Sequence, residues 1–425
     1  MSNHKFDTLA VHAGAVPDPT SKARITPIYQ TASFVFDDAD HAASLFNLQA
    51  FGNIYSRLTN PTNGVLEERI TALEGGTTSL AVSSGHAAQV IALHTLMESG
   101  EDFLASTKLY GGSINQFTHS FKKFGWNAIL VDPDDPQNFK KALTPKTKAI
   151  FIESLANPGG VVTDIEAIAN IAHEAGIPLI VDNTLATPYH CRPIEFGADI
   201  VLHSATKFLG GHGNSIGGLI VDGGRFDWSA SDKFPTLSQP NGSYHGMKFH
   251  ETFGNIAFGI ACRALGLRDL GPALSPFNAF MILTGIETLA LRMERHSANA
   301  LAVAKHLKQH DKVSWVSYAG LEDDPYNKLA KKYLSGGAGA VFTFGVKGGY
   351  EAGKKLVDSV ELFSHLANIG DTRSLIIHPS STTHRQLDEA QQKSAGAGPD
   401  VVRLSIGIEN AADIIADLDQ ALAKV

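Results

Sequence analysis

The sequence predicts an α/β protein, with a mostly parallel central sheet covered by helices on both faces and a smaller C-terminal α+β domain. From about Asn63 onward, short apolar runs alternate with helical stretches, the pattern left by strand–helix–strand crossovers. After about Pro276 that alternation gives way to a long helical stretch and more widely spaced strands. The scale fits as well: 425 residues, 43% hydrophobic and 18% charged, can bury a large core and exclude wholesale disorder. The expected division is an N-terminal arm over 1–62, a large domain over 63–278 and a small domain over 279–425.

The lead is irregular. Pro17, Pro19, Pro27 and Pro61 punctuate it, and no helical or strand period persists. So long a structureless stretch is expected to lie against its own domain or a neighbouring subunit. Residues 65–73 then read as a helix stopped by Gly75-Gly76, 79–82 as a strand, and 86–97 as a buried helix. A strand at 103–105, a helix over 113–124, and strands at 128–131 and 149–152 follow. Thr163-Asp164-Ile165-Glu166 has the form of a capping box, opening a helix that ends at Gly176. Residues 179–181 and 200–202 are continuous apolar runs, as expected of strands covered on both faces. Beyond Pro276 we expect a helical stretch over 279–309, bent or broken near Thr284-Gly285. Strands at 341–344 and 402–406 and a final helix over 411–424 complete the chain.

Composition removes several function classes. Lys+Arg 35 against Asp+Glu 43 leaves a net charge of −8, so no basic excess is available for nucleic acid. Two cysteines, Cys191 and Cys262, cannot build a disulfide framework or a cysteine-based zinc site. The eighteen histidines show no metal-ligand spacing, so no metal is expected. No apolar run approaches the ~20 residues that span a bilayer, so no membrane partner is expected. The opening Met1-Ser2-Asn3-His4-Lys5-Phe6-Asp7 lacks a signal-peptide core, which makes the cytoplasm the expected compartment. Neither a dinucleotide fingerprint nor a P-loop occurs.

In open α/β sheets ligands collect at the carboxyl ends of strands. The residues following the expected strands there are Ser83-Ser84-Gly85-His86, Glu153-Ser154 with Asn157-Pro158 beyond, Asp182-Asn183-Thr184, and His203-Ser204-Ala205-Thr206-Lys207. This set suits a phosphorylated pyridine aldehyde. A lysine amine condenses with the aldehyde, and a carboxylate keeps the pyridine nitrogen protonated so that the ring accepts electrons. Ser84-Gly85-His86 at a helix start offers N–H groups to a phosphate, Ser204 and Thr206 add hydroxyls, and Tyr110 can stack on the ring. Taken singly each residue has an ordinary reading: a surface lysine, a turn-capping aspartate, a common Ser-Gly turn. Ser83-Ser84-Gly85 also lacks the frame of a hydrolase elbow. Their joint occurrence at four strand ends raises Lys207 above those readings.

The run from Asp199 through His203-Ser204-Ala205-Thr206-Lys207 to Gly210-Gly211-His212-Gly213 resembles the lysine signature of the Cys/Met metabolism pyridoxal-phosphate enzymes. The likeness spans essentially the whole chain, from Phe6-Asp7-Thr8 and His12-Ala13-Gly14 to Arg403-Leu404-Ser405-Ile406-Gly407-Ile408-Glu409. It implies a fold-type-I, aminotransferase-like subunit using pyridoxal 5′-phosphate. It also implies a homo-oligomer, usually a tetramer built as a dimer of dimers with shared active sites. Lys207 would carry the cofactor and shuttle protons, Asp182 would pair with the ring nitrogen, and Tyr110 would stack on the ring. Gly85, His86, Ser204 and Thr206 would hold the phosphate, with Tyr55 and Arg57 reaching the neighbouring subunit's phosphate. Asn157 would touch the cofactor's phenolic oxygen or the substrate carboxylate, which Arg403 would clamp with Ser374 nearby. His86 departs from the pattern, since relatives often carry Met or Gln there; a backbone contact tolerates this.

Three segments resemble the sulfhydrylases within that family. They are 244–247 running on through 251–254 to 267–269, Gly285-Ile286-Glu287-Thr288-Leu289 with Arg292-Met293, and Ser374 through His384. Gly112 also stands where methionine γ-lyases carry a cysteine. The implied reaction is γ-replacement on O-acetyl-L-homoserine by sulfide, giving homocysteine and acetate. The alternatives are a cystathionine γ-synthase or γ-lyase and, from another class, a catalytically silent cofactor-binding or scaffold protein.

Overall fold

The computed structural model describes residues 4–383, 385 and 396–425; His384 of the third sulfhydrylase-like segment lies outside them. A seven-stranded sheet is built from β1 (Thr78–Val82), β2 (Asp102–Ser106), β3 (Asn127–Val131), β4 (Thr147–Glu153), β5 (Leu179–Asp182), β6 (Ile200–Ser204) and β7 (Gly218–Asp222). Their order is β1-β7-β6-β5-β4-β2-β3. The pairs among β2 to β6 are parallel, while β7 runs antiparallel to both β1 and β6. Every residue of β4 is buried, as a central strand packed on both faces requires. The fold class read from the sequence therefore stands. β7 was not anticipated, because its apolar run follows the glycine-rich stretch 210–217.

The C-terminal sheet comprises β8 (Val313–Ser317), β9 (Val341–Val346), β10 (Ser364–His365), β11 (Leu375–Ile377) and β12 (Val401–Ser405), in the order β10-β11-β12-β9-β8. It is antiparallel apart from the short β10–β11 pair.

Several boundaries moved for identifiable reasons. The long C-terminal helical stretch breaks at Thr288, between helices Pro276–Glu287 and Leu289–Lys308, and not at Thr284-Gly285. Gly285 serves another purpose: a Cβ there would lie 2.1 Å from the Gly210 carbonyl, so its absence lets the helix meet the loop after Lys207. The expected capping box at 163–166 does not form. Thr163 Oγ1 donates to the Glu153 carbonyl at 2.8 Å, and Asp164 caps helix Ile165–Glu174 by accepting from Ala167 N. The lead carries two short helices, Phe6–His12 and Ala39–Phe46, within otherwise irregular chain. Among the described residues no helix is long and apolar enough to cross a membrane.

Candidate active site

A cavity of about 230 Å³ opens where β4, β5 and β6 end, against the start of helix Gly85–Leu96. Gly85, His86, Tyr110, Asn157, Asp182, Ser204, Thr206, Lys207 and Arg403 all line it. The strand ends bring them together despite a separation of hundreds of residues. Glu153 and Asp182 are register partners on adjacent strands, so their side chains leave the sheet side by side.

At one end, Ser84 caps the helix by accepting from Ala87 N at 3.1 Å. The amides of Gly85 and His86 then have no backbone partner among the described residues, at the positive end of a twelve-residue helix. A Cβ on Gly85 would stand 2.8 Å from Ser204 Cβ, so glycine is what lets the helix start approach β6. With the Ser204 and Thr206 hydroxyls lining the same cavity, this donor set fits a phosphate.

Asp182 is pinned by Thr184, whose amide and hydroxyl donate to Oδ1 at 3.0 and 2.5 Å. Burial pushes the Asp182 carboxyl above its ordinary range, while Thr184 and the nearby His203 and His86 pull it back. A ligand cation beside it would favour the carboxylate, as a protonated pyridine nitrogen requires. Lys207 Nζ donates to Asn368 Oδ1 at 2.5 Å. Burial, and then the Arg403 charge, lowers the Lys207 ammonium to about 8, which readies its amine for condensation. The residues present therefore fit pyridoxal phosphate in donor set and in charge.

Tyr110 presents its ring to the cavity and meets His86 edge-on, with centroids 6.0 Å apart. Gly112 lies under that ring: a Cβ there would stand 2.4 Å from Tyr110 Cε1, so a cysteine would displace it. Arg403 alternates with the buried Val402 and Leu404 on β12 and turns inward. Its Nη1 donates to Asn157 Oδ1 at 3.2 Å and its Nη2 to the Asn368 carbonyl at 3.1 Å, while Nε has no partner among the described residues. Burial lowers the guanidinium to about 10. Arg403 has no carboxylate partner among the described residues, and Glu409 instead accepts from Ser374.

Three expected residues stand elsewhere. Ser374 does not line the cavity: its hydroxyl donates to Glu409 Oε2 at 3.0 Å and accepts from Gly407 N at 2.9 Å. It is fully buried and braces the turn after β12. Tyr55 and Arg57 also lie outside their own chain's cavity. Arg57 stacks over Tyr55 at 5.4 Å and donates to the Arg268 carbonyl.

Two cavity residues escaped the sequence reading as functional positions. Glu153 was visible as a strand-end carboxylate, but its role depends on contacts with two loops. Asn368 sits in irregular chain between β10 and β11, with no local signal. The sulfhydrylase-like Arg292 also has a visible task. Its guanidinium donates to the carbonyls of Phe208 and Gly285 at 2.7 Å, tying the loop after Lys207 to helices Pro276–Glu287 and Leu289–Lys308.

Residues 7–423 match the family described as Cys/Met metabolism PLP-dependent enzymes. The chain is 53% identical to O-acetyl-L-homoserine sulfhydrylase of Leptospira meyeri, covering 100% of this chain and 98% of that protein. It is 50% identical to homocysteine synthase of Schizosaccharomyces pombe, covering 99% of each. Among solved structures it resembles an O-acetylhomoserine (thiol)-lyase from Campylobacter jejuni that carries N′-pyridoxyl-lysine-5′-monophosphate. The TM-score is 0.96 at 41% identity, over 99% of this chain and 100% of that one.

Proposed function

The chain belongs to the Cys/Met metabolism PLP-dependent enzymes, and on that premise we propose that it converts O-acetyl-L-homoserine and sulfide to L-homocysteine and acetate. The observation that carries this reading is the convergence of Lys207, Asp182 and Arg403 on one cavity, in a chain whose full-length relatives bear sulfhydrylase names. A silent scaffold would have no need of that cluster.

Bound pyridoxal phosphate supplies the electron sink that makes the substrate's α- and β-protons removable. The chain's residues do the rest. Lys207 would be the residue that holds the cofactor covalently, and its amine would be free for proton transfer once substrate is bound. Freed and neutral, Lys207 Nζ takes the α-proton, an exchange that its depressed pKa favours near neutrality. Asp182 would accept from the protonated ring nitrogen, Tyr110 would stack on the ring, and the Gly85 and His86 amides with Ser204 and Thr206 would hold the phosphate. Arg403 clamps the α-carboxylate through its two terminal nitrogens, with Asn157 beside it. Lys207 Nζ would also take the β-proton as acetate leaves Cγ; hydrosulfide would then add at Cγ and the two protons would return to Cβ and Cα, so O-acetylhomoserine and hydrosulfide balance homocysteine and acetate.

Tyr55 and Arg57 reach the phosphate of a second copy in this reading, and the working unit is a dimer of dimers in the cytoplasm. The large domain, 63–278, carries the cofactor and the small domain, 279–425, closes over the substrate. The test is product analysis by mass spectrometry with O-acetylhomoserine supplied with sulfide or with cysteine. Homocysteine from sulfide is the expected result. Cystathionine from cysteine, with no homocysteine from sulfide, would replace this reading with a cystathionine synthase.

A further inference from the structure

We propose that Glu153 is a positioning residue that sets both walls of the cofactor cleft, gripping the main chain of Tyr110 with one carboxyl oxygen and that of Asn157 with the other. Oε1 accepts from Tyr110 N at 2.7 Å and Oε2 from Asn157 N at 3.1 Å. These amides belong to different loops, one following β2 and one following β4, and Glu153 at the end of β4 joins them. The inference rests on the assignment of Tyr110 and Asn157 to the cofactor and substrate.

A packing role explains Glu153 poorly. The side chain is 3% exposed and leaves the sheet beside Asp182. Burial and the Asp182 charge both push its carboxyl well above the ordinary range, so the position is costly for an acid. An apolar side chain would fill the space with less penalty. What it could not supply is two acceptors on a fixed fork. The ring of Tyr110 is half exposed, so its pose depends on where its backbone is held. Asn157 in turn accepts from Arg403. One carboxyl group thus governs the stacking wall directly and the carboxylate clamp at one remove.

The test uses the holoenzyme and its apo form, with Glu153→Gln as the main variant. An amide has one acceptor oxygen, so it can keep one grip and must release the other, while its volume is unchanged and the repulsion with Asp182 is relieved. We expect an unchanged or raised melting temperature. In apo protein, hydrogen exchange should be faster in the peptide containing Tyr110 or in the one containing Asn157. In holoenzyme, the circular dichroism band of the bound cofactor should change. The value of kcat should fall about 10- to 100-fold, the scale of a sub-ångström to ångström misplacement. Glu153→Leu, which lacks both acceptors, should lose protection at both peptides, and it replaces Glu153→Gln if that variant does not fold. Wild-type protein offers a check without any variant: the Tyr110 and Asn157 amides should exchange as slowly as those of β4. Fast exchange there in wild type, or an unchanged cofactor band and exchange pattern in folded Glu153→Gln, overturns the proposal. Neither readout uses O-acetylhomoserine, so failure of the substrate assignment would show separately, as absent turnover with the spectroscopic changes intact.

Discussion

The cavity edge of the large sheet and the irregular lead before Asn63 are built on opposite terms. At the edge, polar groups are buried and answered within one chain: Glu153 is 3% and Asn157 5% exposed, and each has a partner. In the lead, apolar groups are left in solvent, with Val35 96%, Phe51 72% and Val16 69% exposed. A monomer rarely carries so much uncovered apolar surface in one segment. One chain thus gathers the groups suited to the cofactor's aldehyde and ring nitrogen, whereas the lead leaves apolar surface and Arg57 outside that cavity. Tyr55 and Arg57 belong to the second region and lie outside the cavity of the first.

The largest effects should come from breaking the first region. Lys207→Ala should abolish turnover, and borohydride should no longer fix the cofactor to the chain, while the protein still folds. A borohydride-stable linkage in the mutant would move the assignment to another lysine. Asp182→Asn comes next. It keeps the shape and removes the counter-charge, so the ring nitrogen should lose its proton and kcat should fall at least about 10²-fold, as for one strong electrostatic stabiliser. A near-normal rate would mean that burial, which already raises this carboxyl, leaves it no ionic role.

What the sequence made legible follows the same division. An apolar run ending in a polar residue marks a strand end, so Val181-Asp182 and Leu202-His203-Ser204 located the cavity without any contact information. Arg403 was legible because an arginine between buried apolar neighbours must face something. Ser374 was expected beside the clamp, but nothing in its local pattern shows that its hydroxyl is engaged by Glu409 and Gly407, more than thirty residues away. The Thr163 capping box failed for a similar reason, since Glu153's carbonyl claims that hydroxyl first. Asn368 was beyond reach: its hydrogen bond to Lys207 spans 161 residues, and local pattern does not encode such pairings.

Arg403→Lys should keep the cofactor spectrum and raise KM for O-acetylhomoserine. The lysine keeps its charge but loses the planar fork, a loss of about 2 kcal/mol, or roughly 30-fold. Because Arg403 has no carboxylate partner to abandon among the described residues, the melting temperature should stay near wild type. A lowered melting temperature with unchanged KM would return Arg403 to a structural role.

A smaller effect concerns pH. Lys207 is lowered from its ordinary 10.5 to about 8, so its neutral form gains as pH rises through 8. Cofactor uptake by apoprotein, followed by absorbance, should therefore quicken about tenfold between pH 7 and 9 and then level off. A rate still climbing steeply at pH 10 would show an unperturbed lysine.

The last prediction joins the two regions. If the lead completes a neighbour's cavity, Arg57 and Lys207 of one chain serve different sites. Arg57→Ala and Lys207→Ala proteins should each be inactive, the first because a phosphate dianion loses its guanidinium. Mixed with subunit exchange, half of the dimers would be hybrids, each with one doubly defective and one intact site. Activity should then recover to about one quarter of wild type, as two-fold symmetry requires. Recovery depends on geometry alone, since neither variant restores the other's missing group. If exchange is verified by native mass spectrometry and activity stays at zero, Arg57 serves its own chain. The exposed apolar face of the lead would then have to be covered by something other than the surface that bears the site.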